Sequence, residues 1–177
     1  MTRSPGSTLA TADLATPVGR VAVAVSDAGV RAIRWRSAGE LAEDASNDGR
    51  TDVVLAQLQE YFAGERRAFD VPLDWDGVTT TQRQVLQALY DHVPYASSVT
   101  YGELATLSGT GVPARAIGSI MGSNPIPIVV PCHRVLAHDG LGGYSGGAGN
   151  GLEVKRWLLT LEGALPPTLD WTPAGLA

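Results

Sequence analysis

The sequence predicts an α/β protein in two parts. A small N-terminal α/β domain covers residues 1–78, and a mainly helical domain covers residues 79–177. Three observations predict this. Two segments of apolar–polar alternation flank a turn signal near the N-terminus. Past residue 79, apolar residues recur at helical rather than strand spacing. Two of those helical stretches are short and joined by a glycine turn, the signature of a helix-turn-helix.

The elements follow in order. Residues 1–13 are polar and expected to be mobile. Residues 20–25 and 30–35 alternate as strands, and Ser26-Asp-Ala-Gly29 between them reads as a hairpin turn. Residues 39–51 form a polar connection with a short helix. Val54, Leu55, Leu58, Tyr61 and Phe62 fall at helical spacing, with Gly64 placed to end that helix. Residues 69–73 read as an edge strand, because Pro72 cannot donate to a central ladder. Residues 74–78 are a linker.

In the second part, Thr79, Thr80 or Thr81 caps a helix with Val85, Leu86 and Leu89 on one face. That helix ends near His92. A short helix over 101–108 and a tight turn at Gly109-Thr-Gly111 come next. Pro113 suits the first turn of the following helix, which runs to about Gly122 with Ile117, Ile120 and Met121 inward. A proline-bounded apolar strand leads to Cys132. Seven glycines lie from Gly140 to Gly151, and a helix over 152–162 stops at Gly163. The proline-rich tail from Ala164 is expected to pack loosely.

Composition narrows the class. The net charge is -5, so the chain as a whole is not a basic nucleic-acid binder. Residues 1–78 carry 8 Arg against 12 Asp/Glu, whereas residues 79–177 carry 5 Arg/Lys against 6 Asp/Glu. The acidic load is therefore in the N-terminal half, which implies modest electrostatic affinity for DNA and a shallow salt slope. A single cysteine excludes an intrachain disulfide, and the N-terminal residues lack the apolar core of a signal peptide. No apolar run approaches the roughly 20 residues of a membrane span. A reducing, cytoplasmic setting is expected. No phosphate-binding or dinucleotide glycine pattern occurs.

The lone thiol is the most informative residue. Cys132 sits in Asn124-Pro-Ile-Pro-Ile-Val-Val-Pro-Cys-His-Arg-Val135, directly followed by a base and a cation. A buried structural cysteine needs no such neighbours, whereas a reactive thiolate is favoured by them. Prolines at 125, 127 and 131 remove backbone donors and fix φ, holding the end of the segment in one geometry. Adjacent residues on an extended strand point to opposite sides. Direct contact between Cys132 and His133 is thus as open as a bridging water. Cys132, His133 and His138 fall short of the four ligands of a structural zinc site, so no metal and no cofactor are expected.

This segment resembles the active-site segment of the O6-alkylguanine-DNA alkyltransferases, whose hallmark is Pro-Cys-His-Arg-Val. The resemblance spans roughly residues 14–163 and is strongest from Val99 onward. It implies an RNase H-like N-terminal domain and a winged-helix-like C-terminal domain. It also implies suicide DNA repair: an alkyl group moves irreversibly from O6 of guanine, or O4 of thymine, to Cys132. His133 then takes the thiol proton through a water, Glu162 orients that histidine, and Asn124 ties the active-site turn together. Thr100-Tyr-Gly-Glu-Leu-Ala105 is similar to the family's first helix, whose tyrosine, here Tyr101, helps to extrude the damaged nucleotide. Pro113-Ala-Arg-Ala-Ile-Gly118 is similar to the recognition helix. Arg115 matches the residue that fills the gap in the stack, and Ala114, Gly118 and Gly122 leave one face bare against the minor groove. Val135, Tyr144 and Ser145, with Tyr101, are implied to line the base pocket. The implied partner is duplex DNA containing O6-alkylguanine. The protein is expected to act as a monomer that can cluster on DNA.

The chain departs from the family pattern in three places. Tyr95-Ala-Ser-Ser98 replaces a Gly-Glu-Thr-like stretch. Threonines replace an aromatic at the start of the helix carrying Val85. The loop over 147–152 is several residues longer. An alternative is an alkyltransferase-like sensor that binds damage without transfer, but such relatives lack the cysteine.

Overall fold

A computed structural model describes residues 9–36 and 49–165. Strands β1 (Ala10–Thr16), β2 (Gly19–Ser26) and β3 (Gly29–Trp35) form an antiparallel sheet in that order. Alternation decides its faces: Val21, Val23, Val25 and Ile33 are buried. The register sets Val23 opposite Ala12 on one side and Ile33 on the other. Helix α1 (Asp52–Phe62) adds Val54, Leu58 and Tyr61 to the same core.

Three expectations change here. Residues 10–13 are not a mobile tail but the first half of β1, because β2 offers them a full ladder. Their small and polar side chains carry too little alternation to reveal it. Residues 69–73 form no strand. A single parallel bridge joins Leu73 to Val30, with the Val30 N–H donating to the Pro72 carbonyl and the Asp74 N–H to the Val30 carbonyl, both at 2.9 Å. The start of the linker is also anchored. Asp74 is buried and accepts hydrogen bonds from Ser26 and Arg31, which hold its carboxyl below the usual range despite burial. The helix expected within 39–51 falls almost entirely, and the tail beyond 165 wholly, outside the described residues.

The second part is helical. Helix α2 (Thr80–His92) begins at Thr79 in a capping box with Gln82, and buries Val85, Leu86 and Leu89. Helix α3 (Tyr101–Ser108) is capped the same way by Thr100 and Glu103. Gly109 ends α3 at φ 64°, a left-handed conformation that glycine adopts without steric cost. Helix α4 (Ala114–Gly122) buries Ile117, Ile120 and Met121. Pro113 is its N-cap residue, one position earlier than the sequence suggests. Short parallel strands β4 (Val99–Thr100) and β5 (Val135–Leu136) pair beside these helices, and α5 (Gly151–Leu161) is the last element among the described residues.

The two parts meet through specific bonds as well as apolar contact. The Ile33 N–H donates to the Pro125 carbonyl at 2.9 Å, and the Tyr61 hydroxyl donates to Glu162 at 2.7 Å. Among the described residues no helix is long and apolar enough to cross a membrane. Thr79→Ala removes a side-chain cap from α2 and should cost about 1 kcal/mol in urea unfolding.

Candidate active site

Residues 124–131 are not the expected strand. Three prolines deprive the segment of ladder donors, so it folds back on itself. The Asn124 Nδ2 donates to the Val130 carbonyl at 2.9 Å, and its Oδ1 accepts the Ile126 N–H at 3.0 Å. The Val130 N–H closes the turn onto the Ile126 carbonyl at 2.9 Å. Inside it Ile128 sits at φ 73°, costly for a β-branched residue and sustained by the brace around it. Cys132–Arg134 then form one turn of 3₁₀ helix. In that geometry successive side chains diverge by a third of a turn, not by the half turn of a strand.

The three residues are buried and serve different surroundings. His133 is fully buried, and its Nε2 lies 2.8 Å from the Glu162 Oε1. Arg134 turns away from the thiol. Its Nε and Nη2 donate to the two Glu162 oxygens at 2.9 Å, and its Nη1 donates to the Val93 carbonyl at 2.8 Å. Burial alone would raise the Glu162 pKa. The hydrogen bonds and charges of His133 and Arg134 instead bring it down to about 2.

An ionised carboxylate only accepts hydrogen bonds, so the His133 Nε2 must carry the proton. Burial keeps the imidazole neutral by lowering its pKa, against the pull of Glu162. The Nδ1 is then a basic lone pair, and it has no hydrogen-bond partner in the protein. Burial pushes the Cys132 thiol up in pKa, whereas the Asn124 amide and Lys155 charge act to lower it.

Cys132 lines two cavities. One, of about 390 Å³, is bounded by Tyr101, Gly118, Met121, Tyr144 and Ser145. The other, of about 270 Å³, opens toward β3. Val135 lines neither. It is buried, its N–H donates to the Cys132 carbonyl, and its own carbonyl accepts from Lys155. Ala114 and Arg115 are exposed at the start of α4, away from both. The Ser145 hydroxyl donates to the Gly122 carbonyl at 3.2 Å. The Tyr144 hydroxyl is buried beside Cys132, and burial, then the Cys132 charge and the interaction of the hydroxyl with that sulfur, raise its pKa far above the ordinary range. Among the described residues, no group of three or more His, Cys, Asp or Glu could hold a metal ion.

This arrangement has known counterparts. Residues 10–75 match the family profile described as 6-O-methylguanine DNA methyltransferase, ribonuclease-like domain, and residues 80–164 match that of the DNA binding domain of the same family. A methylated-DNA–protein-cysteine methyltransferase of Methanosarcina acetivorans is 36% identical over 154 residues, covering 84% of this chain and 95% of that protein. The chain belongs to the 6-O-methylguanine DNA methyltransferase family. Its fold is also that of a Mycobacterium tuberculosis OGT crystallised in complex with DNA. The TM-score is 0.74 and the identity 37%, over 86% of this chain and 91% of that one. The crystal structure of the M. tuberculosis O6-methylguanine methyltransferase matches with the same TM-score at 34% identity, over 92% and 98%.

Within this family member, three side chains take places at the site that sequence reasoning did not foresee. Tyr61 read as a core aromatic on α1, yet its hydroxyl reaches Glu162 across the junction. Arg134 read as a cation for the thiolate, yet it serves Glu162 and packs over the Tyr95 ring at 5.9 Å. Lys155 gave no signal beyond its place in α5, one polar residue in an amphipathic helix. It is fully buried, and its Nζ donates to the Val135 carbonyl at 2.7 Å and the Gly143 carbonyl at 3.0 Å. It thereby fastens the glycine-rich loop to the strand after Cys132. Burial lowers its pKa to about 8, against the pull of Cys132.

Glu162→Gln strands the buried Arg134 charge and should cost about 3–5 kcal/mol. The folded carboxyl titrates near 2 and a free one near 4.5, so the wild-type advantage should shrink as pH falls through that window in urea titrations. Lys155 has the opposite sense. Its folded pKa lies below the ordinary 10.5, so the unfolded chain keeps that proton longer. Stability of the wild type relative to Lys155→Met should therefore rise between about pH 8 and pH 10.5.

Proposed function

We propose that this chain is a single-turnover DNA repair protein that moves an alkyl group from O6 of guanine to Cys132, with O4-alkylthymine as a second substrate class. The reading rests above all on His133. Its neutral ring has Nε2 committed to an ionised carboxylate, and its Nδ1 is left as an unpartnered base next in sequence to a buried thiol. That is the nucleophile, base and orienter logic of covalent catalysis applied to sulfur.

The chemistry balances without a cofactor. The thiol proton passes through a water to the His133 Nδ1. The sulfur attacks the alkyl carbon as the carbon–O6 bond breaks. The proton lent to His133 returns to the guanine ring, which leaves in its keto form. The thioether has no leaving group, so each molecule acts once. Asn124 and Lys155 favour the thiolate, which burial by itself disfavours.

The base must leave the duplex to reach Cys132. The cavity between Tyr101, Gly118, Tyr144 and Ser145 is its receptacle in this reading. Ser145 would release the Gly122 carbonyl to donate to guanine O6. Helix α4 lies in the minor groove, with Ala114 and Gly118 against the backbone and the exposed Arg115 filling the gap left by the extruded base. Residues 1–78 then form a supporting domain and residues 79–177 the one that carries both DNA and acceptor. A protein that depends on one reduced thiol suits the cytoplasm, acting as a monomer that can cluster along DNA.

Intact-protein mass after incubation with a duplex containing one O6-methylguanine tests the reading. The expected result is a gain of one methyl, mapped to the Cys132 peptide and absent with undamaged duplex. Cys132→Ala should abolish the gain and keep duplex binding. Binding without any gain in the wild type would instead make the protein a damage sensor. His133→Gln should slow transfer by about 10²–10⁴-fold. Its residual rate should climb with pH, because the thiol must then ionise unaided.

A further inference from the structure

We infer that Trp35, on the N-terminal sheet, determines which alkyl groups the site accepts. This deepens the transfer reading and rests on it. Two open volumes meet at the sulfur. The larger lies between α3, α4 and the glycine-rich loop, and the base would fill it. Displacement at carbon runs in line, with sulfur, carbon and O6 on one axis. A methyl group adds nothing beside that axis. The further carbons of a longer alkyl chain leave it sideways and cannot enter the space taken by the base.

The second cavity, of about 270 Å³, is the other open volume at Cys132, and its far wall comes from β3 through Ile33, Arg34 and Trp35. Ile33 is a buried core residue whose N–H is tied to Pro125, so that part of the wall is fixed. Arg34 is exposed, whereas Trp35 is half-buried at the end of the strand and is the aromatic part of that wall. Its indole N–H donates to the Val18 carbonyl at 3.1 Å, which sets the plane of the ring. It also meets Tyr144 edge to face, with centroids 6.1 Å apart and planes at 83°. Tyr144 in turn lines the base cavity. One indole therefore limits the alkyl cavity directly and braces a side chain that lines the base cavity.

The test is competition between substrates. Transfer rates are measured by intact mass for duplexes carrying O6-methylguanine or O6-butylguanine, with the wild type, Trp35→Ala and Trp35→Phe. A pocket that gains room for a methylene or two should raise the butyl-to-methyl rate ratio by roughly tenfold in Trp35→Ala. Trp35→Phe, which keeps an aromatic wall, should show a smaller rise in the same direction and decides the matter if the alanine variant fails to fold. A ratio unchanged within twofold, or one that falls, overturns the inference while leaving the transfer reading intact. A wild type that gains no methyl overturns the transfer reading, and this inference with it.

Discussion

One buried carboxylate organises the chemical half of this protein and fastens it to the other half. Glu162 follows the last turn of α5, a position the helix dipole disfavours for an anion. It is stable there because Arg134 meets it with two parallel bonds, His133 with a third and Tyr61 with a fourth. The partners come from two distant stretches: Tyr61 from α1, and His133 and Arg134 from the 3₁₀ turn. A displaced α5 would lose the histidine's orientation, the arginine's charge partner and the junction between sheet and helices together. The network is satisfied on every side except at the His133 Nδ1, so the one polar atom left over is the one that can take a proton.

The two buried cations of this site have different partners. Arg134 is committed to the carboxylate, whereas the charge of buried Lys155, on α5, favours the Cys132 thiolate. Burial opposes the thiolate and these neighbours favour it. The resting residue is thus a protected thiol, and in the proposed reaction it ionises when His133 takes its proton. That suits a protein with a single reactive residue, because an exposed low-pKa thiolate would be consumed by other electrophiles.

The sheet also bears on the site. Its last strand holds the active-site turn through Pro125 and presents Ile33 and Trp35 to the cavity beside Cys132. Ile128 stays in a left-handed conformation because Asn124, the Pro127–Val130 bridge and that strand contact leave the turn no alternative. The sheet thus shapes the space around Cys132 as well as the stability of the fold.

Much was legible in the chain. Helices α1 to α5 and strands β2 and β3 follow from local periodicity and caps, which are properties of neighbouring residues. The pattern around Cys132, and its family, follow from consecutive residue types. What the sequence by itself could not decide depends on contacts distant in the chain. Strand β1 exists because β2 pairs with it, and residues 69–73 stop short of a strand because Pro72 leaves only one bridge. The active-site segment reads as extended from its β-branched residues, but the prolines and the Asn124 brace turn it back. Tyr61, Lys155 and Trp35 look like ordinary members of a helix face or a strand end. Only tertiary structure brings a hydroxyl to Glu162 from 101 residues away, an ammonium into the interior and an indole to the cavity wall. Their roles arise from burial and approach, which no local pattern encodes.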